Sequence, residues 1–297
     1  MRFGVLVACS CLIACSEDPS ASLTAIATSA GETQSVDTFD ESGTQDDESA
    51  NEAESGDGDG DGDDATDTSM METGGDGGDH PPCQTLYATI RDFRGDHPDF
   101  EVYEGMGAYT GLVLPQLGTD GTPDLNPMAM APAGCDCDDP QITSETTFEE
   151  WYLDVPDVNI AIPVMLPLDD LGGGMYRYQN DFFFPIDDMG WGMEGFWGTD
   201  SMIHNFHFTT EIHTRFTYEA GQIFSFQGDD DFWVFVDEQL VMDLGGVHPP
   251  LNRQVNMDDL GLTEGVTYDL DIFHAERHTD QSNFQVETSI NCFIPPD

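Results

Sequence analysis

From Phe206 to Tyr218, Phe206, Phe208, Thr210, Ile212, Thr214, Phe216 and Tyr218 stand on even positions, while His207, Thr209, Glu211, His213, Arg215 and Thr217 take the odd ones. Strict alternation over that length predicts a strand with one buried and one polar face. Phe284, Val286, Thr288 and Ile290 alternate in the same way with Gln285, Glu287 and Ser289, and Tyr268, Leu270 and Ile272 share one face of the segment before them. Ile223 to Phe226 and Phe232 to Val236 are apolar without alternation, which predicts central strands covered on both sides. Glu219-Ala-Gly221 supplies the turn before the first of these, and Asp237-Glu-Gln239 the turn after the second. No amphipathic helical period stands out in the second half. Many short strands between Gly- and Asp-rich turns predict a mainly β domain, an antiparallel sandwich or barrel. Between 100 and 200, Pro, Gly and Met interrupt the pattern, and long loops draped over the sheets are expected there.

The first residues read differently. One charge at Arg2 precedes an apolar run from Phe3 to Ala14, too short to span a bilayer and suited to a removable signal peptide over 1–14. Leu12-Ile13-Ala14 before Cys15 resembles a lipobox, so Cys15 is expected to carry the lipid, and the only membrane attachment expected is that anchor. Ser16 is not the acidic residue that often retains such proteins in an inner membrane. A cell-envelope location, at an outer membrane or the cell surface, is therefore expected. From Cys15 to Pro82 the chain is Ser, Thr, Gly, Asp and Glu with hardly an aromatic, which predicts a disordered tether averaging roughly 45 Å end to end. Asp57 to Asp64 alternates Asp with Gly like a calcium loop but lacks the closing glutamate, and reads as linker. The β domain is placed at 83–297.

Charge narrows the partners. Residues 16–82 hold 20 acidic side chains and no basic one, and 83–297 holds 39 acids against six arginines, with no lysine anywhere. Phosphate recognition needs a basic patch, so nucleic acid is not expected as a partner. Bound divalent cations, a salty environment, or both would relieve such repulsion. Cys83, Cys135, Cys137 and Cys292 remain once the leader cysteines are set aside, an even set that predicts two disulfides in an exported domain. Cys83 and Cys292 are expected to be tied either to each other or to the central pair.

Three consecutive aspartates, Asp229, Asp230 and Asp231, sit between two apolar strands, where a cation would remove the cost of keeping three anions together. Oxygen-only ligands in an exported domain point to calcium, with Asp237, Asp243 or loop carbonyls completing the shell. His274, Glu276 and His278 share a strand face with the apolar Leu270 and Ile272, which makes His274 a structural core histidine beside an internal Glu276–Arg277 contact. His207 and His213 are expected in solvent. No Gly-x-Ser-x-Gly elbow or nucleotide loop is present, cysteines expected to be oxidised offer no Cys–His nucleophile, and no enzyme activity is expected.

Phe224-Ser-Phe-Gln-Gly-Asp-Asp-Asp-Phe-Trp-Val-Phe-Val-Asp237, followed by Leu240-Val-Met-Asp-Leu-Gly-Gly-Val-His248, resembles the signature of fibro-slime domains, a branch of the PA14 superfamily. Thr89-Ile-Arg-Asp-Phe-Arg94, Phe184-Pro-Ile-Asp-Asp-Met-Gly190 and Ala275-Glu-Arg-His278 agree, and the resemblance runs in order through nearly all of 85–293. It implies a PA14-like β-sandwich in an exported binding or display protein, in which an Asp-Asp pair, here Asp229 and Asp230, holds calcium that contacts sugar hydroxyls. Asp231 and Glu238 stand where the family's motif has glycines; glutamate disfavours positive φ, which weakens the prediction of a tight hairpin at Asp237-Glu238. The expected function is an adhesin-like lipoprotein domain for calcium-assisted binding of an extracellular glycan or matrix polymer. Trp191 and Trp197 are candidates to stack on sugar rings. The alternatives are a structural protein-interaction domain of a matrix and, further off, a secreted carbohydrate-active hydrolase.

Overall fold

Phe232, Val234 and Val236 face one way and Trp233 and Phe235 the other, and every one of them is buried. A strand can be apolar on both faces only if both are covered, and this one is. The computed structural model describes residues 83–296 apart from 104, 130–140, 194–195 and 280. The expected signal peptide, Cys15, the expected tether, Cys135 and Cys137 lie outside the described residues.

Among the described residues the elements in chain order begin with β1 (Thr85–Phe93), the short helix α1 (Glu145–Glu149), β2 (Asn159–Pro167), β3 (Asp169–Gly172) and β4 (Met175–Asn180). A two-residue pair, β5 (Phe196–Trp197) and β6 (Ile203–His204), precedes β7 (Phe208–Thr217), β8 (Ile223–Gly228), β9 (Asp231–Val236) and β10 (Gln239–Leu244). The last strands are β11 (Leu251–Asn256), β12 (Thr267–Glu276) and β13 (Phe284–Thr288). All ladders are antiparallel, in one six-stranded sheet ordered β10-β9-β12-β7-β1-β2 and one five-stranded sheet ordered β11-β8-β13-β4-β3. The main core lies between the sheets, with Phe208, Ile212, Phe232 and Ile272 from one meeting Phe224, Phe226, Phe284 and Val286 from the other. A second core covers the outer face of the six-stranded sheet, where Leu112, Phe148 and Trp151 pack on Trp233, Phe235 and Phe273. Two cores on one sheet are why β9 shows no alternation. Among the described residues no helix is long and apolar enough to cross a membrane.

The expectation of long loops across 100–200 needs correction, since β2, β3 and β4 lie there. β2 is an edge strand whose side chains are partly exposed; its run Ile160–Leu166 is apolar, but Pro163 and Pro167 argue against a strand except at an edge, where it lies. β8 also departs from expectation: its side chains alternate between partly exposed and buried, because only one face of the five-stranded sheet is covered. The β9–β10 turn closes tightly despite Glu238, with φ of 50° at Asp237 and 64° at Glu238. The Glu238 carbonyl accepts from the Leu117 N–H and its carboxylate from Gln116, and these contacts hold the left-handed turn.

Neither histidine of the polar face of β7 is simply solvated. His207 is buried, with Nε2 2.9 Å from a Glu101 carboxylate oxygen. His213 bridges Asp271 at 2.7 Å and Glu211 at 2.7 Å, and Glu211 also meets Arg91. Despite the opposing pull of burial, the bonds to Asp271 and Glu211 raise the His213 pKa to about 9. A raised histidine pKa contributes stability that is complete below about pH 6.5 and is lost as pH rises toward 9. The ring is about a third open to solvent, so screening reduces that contribution to the order of 1 kcal/mol. Urea unfolding should therefore show a decline in stability between pH 6.5 and 9 that is smaller in His213→Gln; equal slopes in the two proteins would rule out this coupling.

Candidate cation and ligand site

Three backbone segments meet at one end of the sandwich: the β8–β9 turn at Gly228–Asp231, the loop after β10 at 245–249, and residues 277–279 and 281–283 after β12. Gly228 belongs there because a Cβ would lie 2.2 Å from the Asn283 carbonyl oxygen. Gly105 closes the opposite wall, where a Cβ would lie 2.1 Å from the Val247 carbonyl oxygen. Between them is a cavity of about 270 Å³, whose lining includes Asp229, Asp230, His248, His278 and Thr279.

The aspartates divide by role. Asp229 accepts from the Asn283 backbone N–H at 2.6 Å and from its Nδ2 at 2.8 Å. Asp230 accepts from the backbone N–H groups of His248 at 3.2 Å and Arg277 at 3.0 Å. Asp231 does not line the cavity: one oxygen accepts from the Gly246 N–H and the other from Arg277 Nε at 2.6 Å, with both side chains fully buried. The glycine-to-aspartate departure at 231 is thus matched by an internal guanidinium. Asp243 is likewise spent on Gly111, Trp233 and Gly245, and Asp237 sits in the hairpin turn.

The expected Glu276–Arg277 contact is not formed. Arg277 turns to Asp231, donates through Nη1 to the carbonyls of Asp99 and Gln141, and lies 4.8 Å over the Trp151 ring. Adjacent residues of an extended strand point to opposite faces, which separates Glu276 from Arg277. Glu276 is fully buried and has no cationic partner among the described residues, with the Ser282 hydroxyl and the His278 backbone N–H as the polar groups near its carboxylate. The Ser282 hydroxyl donates to the Phe183 carbonyl. Burial pushes the Asp229 pKa up; burial and the neighbouring carboxylates push Asp230 and Glu276 well above the ordinary range. His274 is the core histidine expected of it: Nε2 lies 2.9 Å from the Asp229 carbonyl, and burial lowers its pKa to about 4.

This donor set fits a hard cation. Asp229 and Asp230 bring oxygen ligands to the cavity, while Glu276 is fully buried and is not among the residues that line it. Among the described residues no three His, Cys, Asp or Glu side chains converge into a ready-made cage, so backbone oxygens or water would have to complete any shell. Sequence reasoning did not bring Glu276 near Asp229 and Asp230, because it was paired with Arg277. Trp191 is not at the cavity: it is partly buried with the Arg94 guanidinium 4.7 Å from its ring, and its N–H donates to Asp92. Trp197 lies in β5.

Two facing antiparallel sheets with an acidic turn between paired aromatic strands define a PA14-like β domain. Residues 193–292 match the PA14 domain family, so that this part of the chain carries a PA14-like domain. β1 to β4, which complete both sheets, precede the matched stretch. Protein psiD of Dictyostelium discoideum is 42% identical over 224 residues, 71% of this chain and 42% of psiD. Protein psiR of the same organism is 38% identical over 210 residues, 67% of this chain and 20% of psiR, and psiC is 36% identical over 226, 70% and 42%. The chain thus spans less than half the length of these curated relatives. Among solved structures, a PA14 sugar-binding domain from an RTX adhesin is 12% identical with a TM-score of 0.24, covering 39% of this chain and 70% of that one. A β-glucosidase from Kluyveromyces marxianus in complex with glucose is 13% identical with a TM-score of 0.21, covering 31% and 11%. Neither likeness is close enough to transfer residues.

Proposed function

We propose that the β domain is a binding module, not an enzyme, which takes an extracellular glycan or matrix polymer at the Asp229–Asp230 cavity with the help of calcium. A lipid on Cys15 and the acidic tether would display it from the cell envelope, at an outer membrane or the cell surface. The single observation that carries this reading is the placement of the Asp229 and Asp230 carboxylates in the lining of an open cavity, within electrostatic reach of the fully buried Glu276 carboxylate. Buried carboxylates without compensation are costly, and a cation removes that cost. Asp229 and Asp230 would hold the ion, with Glu276 neutralised by it from behind. Calcium bound there supplies coordination positions for vicinal sugar hydroxyls. The match to the PA14 domain family supports the same reading.

The test is calorimetric titration of calcium into the chelator-treated intact chain and its Asp229→Asn/Asp230→Asn variant. Stoichiometric binding is expected in the first and loss of it in the second, with a gain of about 2.7 kcal/mol in stability at a hundredfold excess over Kd. The raised carboxylate pKa values fix the sign with pH. Their contribution without metal is present below about pH 4 and lost as pH rises, so calcium should stabilise more at pH 7 than at pH 5. Identical titrations in the two proteins would refute the site.

A further inference from the structure

We propose that the cavity is one end of a longer platform on the outer face of the five-stranded sheet, which takes several consecutive residues of a neutral polysaccharide chain. The proposal rests on reading the cavity as a glycan site. Strand register places four carboxamide side chains in one row: Gln179 of β4 opposite Gln285 of β13, Gln285 opposite Gln227 of β8, and Gln227 opposite Asn252 of β11. Neighbouring strands lie about 4.8 Å apart, so the row crosses the sheet as an evenly spaced ladder of uncharged donors and acceptors. Among the described residues the carboxamides of Gln227, Gln285 and Asn252 have no hydrogen-bond partner within the chain, and Gln179 donates only to Asp181.

The ladder is continuous with the cavity. Gln281 lines both the Asp229–Asp230 cavity and a second one of about 540 Å³, which is also walled by Gln179, Gln227 and Asn283. Phe182, Gln179 and Asp181 then border both that cavity and a third of about 440 Å³, which reaches Asp169 and Leu171 of β3. Phe182 is 54% exposed and has no aromatic partner among the described residues, whereas the Phe184 ring is covered by His204 at 3.8 Å. Its position is fixed from both sides. The Phe182 N–H donates to Asn180 Oδ1 at 3.0 Å, and the next residue, Phe183, is fully buried and stacks on Phe284 at 4.6 Å. A held, open aromatic ring beside a row of amides suits the C–H face and hydroxyls of a sugar chain.

Charge selects the kind of chain. Among the described residues Arg177 is the only arginine or lysine lining these three cavities, and its guanidinium is committed to Glu287 at 2.6 and 2.8 Å. Asp169 and Asp181 line the far end. Uronate or sulfated chains would meet repulsion there, and neutral ones would not.

The experiment measures binding of gluco-, manno- and galacto-oligosaccharides of one to six units, with polygalacturonate as the anionic comparison, to the intact chain in calcium. Parallel measurements use Gln227→Ala/Gln285→Ala and Phe182→Ala, whose folding is checked by thermal melts. At least one neutral series should gain tenfold or more in affinity from one to four units, and both variants should lose that gain while still binding calcium stoichiometrically. A series that binds with no dependence on length, a gain that survives in both variants, or a preference for polygalacturonate overturns the platform and leaves the cavity reading standing. Failure of every sugar to bind, with calcium bound normally, removes the glycan reading and the platform with it.

Discussion

Replacing Arg277 with alanine is expected to destabilise the β domain by about 3–5 kcal/mol, the usual result of stripping one partner from a fully buried ion pair. Arg277 and Asp231 are both without solvent contact, and Nε meets the carboxylate at 2.6 Å. The same guanidinium holds the Asp99 and Gln141 carbonyls and covers the Trp151 face, so its removal also loosens the 97–103 and 141–151 segments from the sheet. Asp231 would be left as an uncompensated carboxylate beside Asp230. An Asp231→Asn/Arg277→Gln variant, in which neither charge is stranded, should lose less than Arg277→Ala. Chemical denaturation at pH 7 decides the matter, and a loss below about 1 kcal/mol in Arg277→Ala would contradict this account of the pair.

The second large effect concerns the ends of the domain. Cys83, just before β1, is bonded to Cys292, after β13, across 209 residues of sequence. That bond was one of the two arrangements open from sequence. The Phe293 N–H donates to the Cys83 carbonyl at 2.8 Å, so the backbone already brings the two ends together. Closing a loop of that size restricts the unfolded chain most, and Cys83→Ala/Cys292→Ala should cost about 4–5 kcal/mol. For a domain of this size that corresponds to a fall in Tm of roughly 10–20 °C. A melting temperature within about 2 °C of the parent would show that the bond contributes little.

The strands that could be read from sequence are those whose neighbours in the chain report their surroundings. Phe208, Ile212 and Phe216 alternate with polar residues because one face of β7 meets the main core, and β9 is apolar throughout because it separates two cores. β2 escaped notice because its apolar run is broken by prolines, which only an edge strand tolerates. The acidic turn was visible at once, and so was the place of His274 in the core.

Which groups meet across that turn was not visible. Asp231 could be counted as a third ligand until Arg277, 46 residues on, was found against it. His207 read as solvated until Glu101 was placed beside it. The amide ladder joins residues as far apart as Gln179 and Gln285, and no local pattern foretells it. The chain's own order of residues determined the class of fold, the strand faces and the acidic turn, because period-two burial is a property of adjacent positions. Only the tertiary structure decided that Glu276 is buried away from Arg277 and that four carboxamides line up, because both depend on strand register, which is set over distances in sequence that periodicity does not reach.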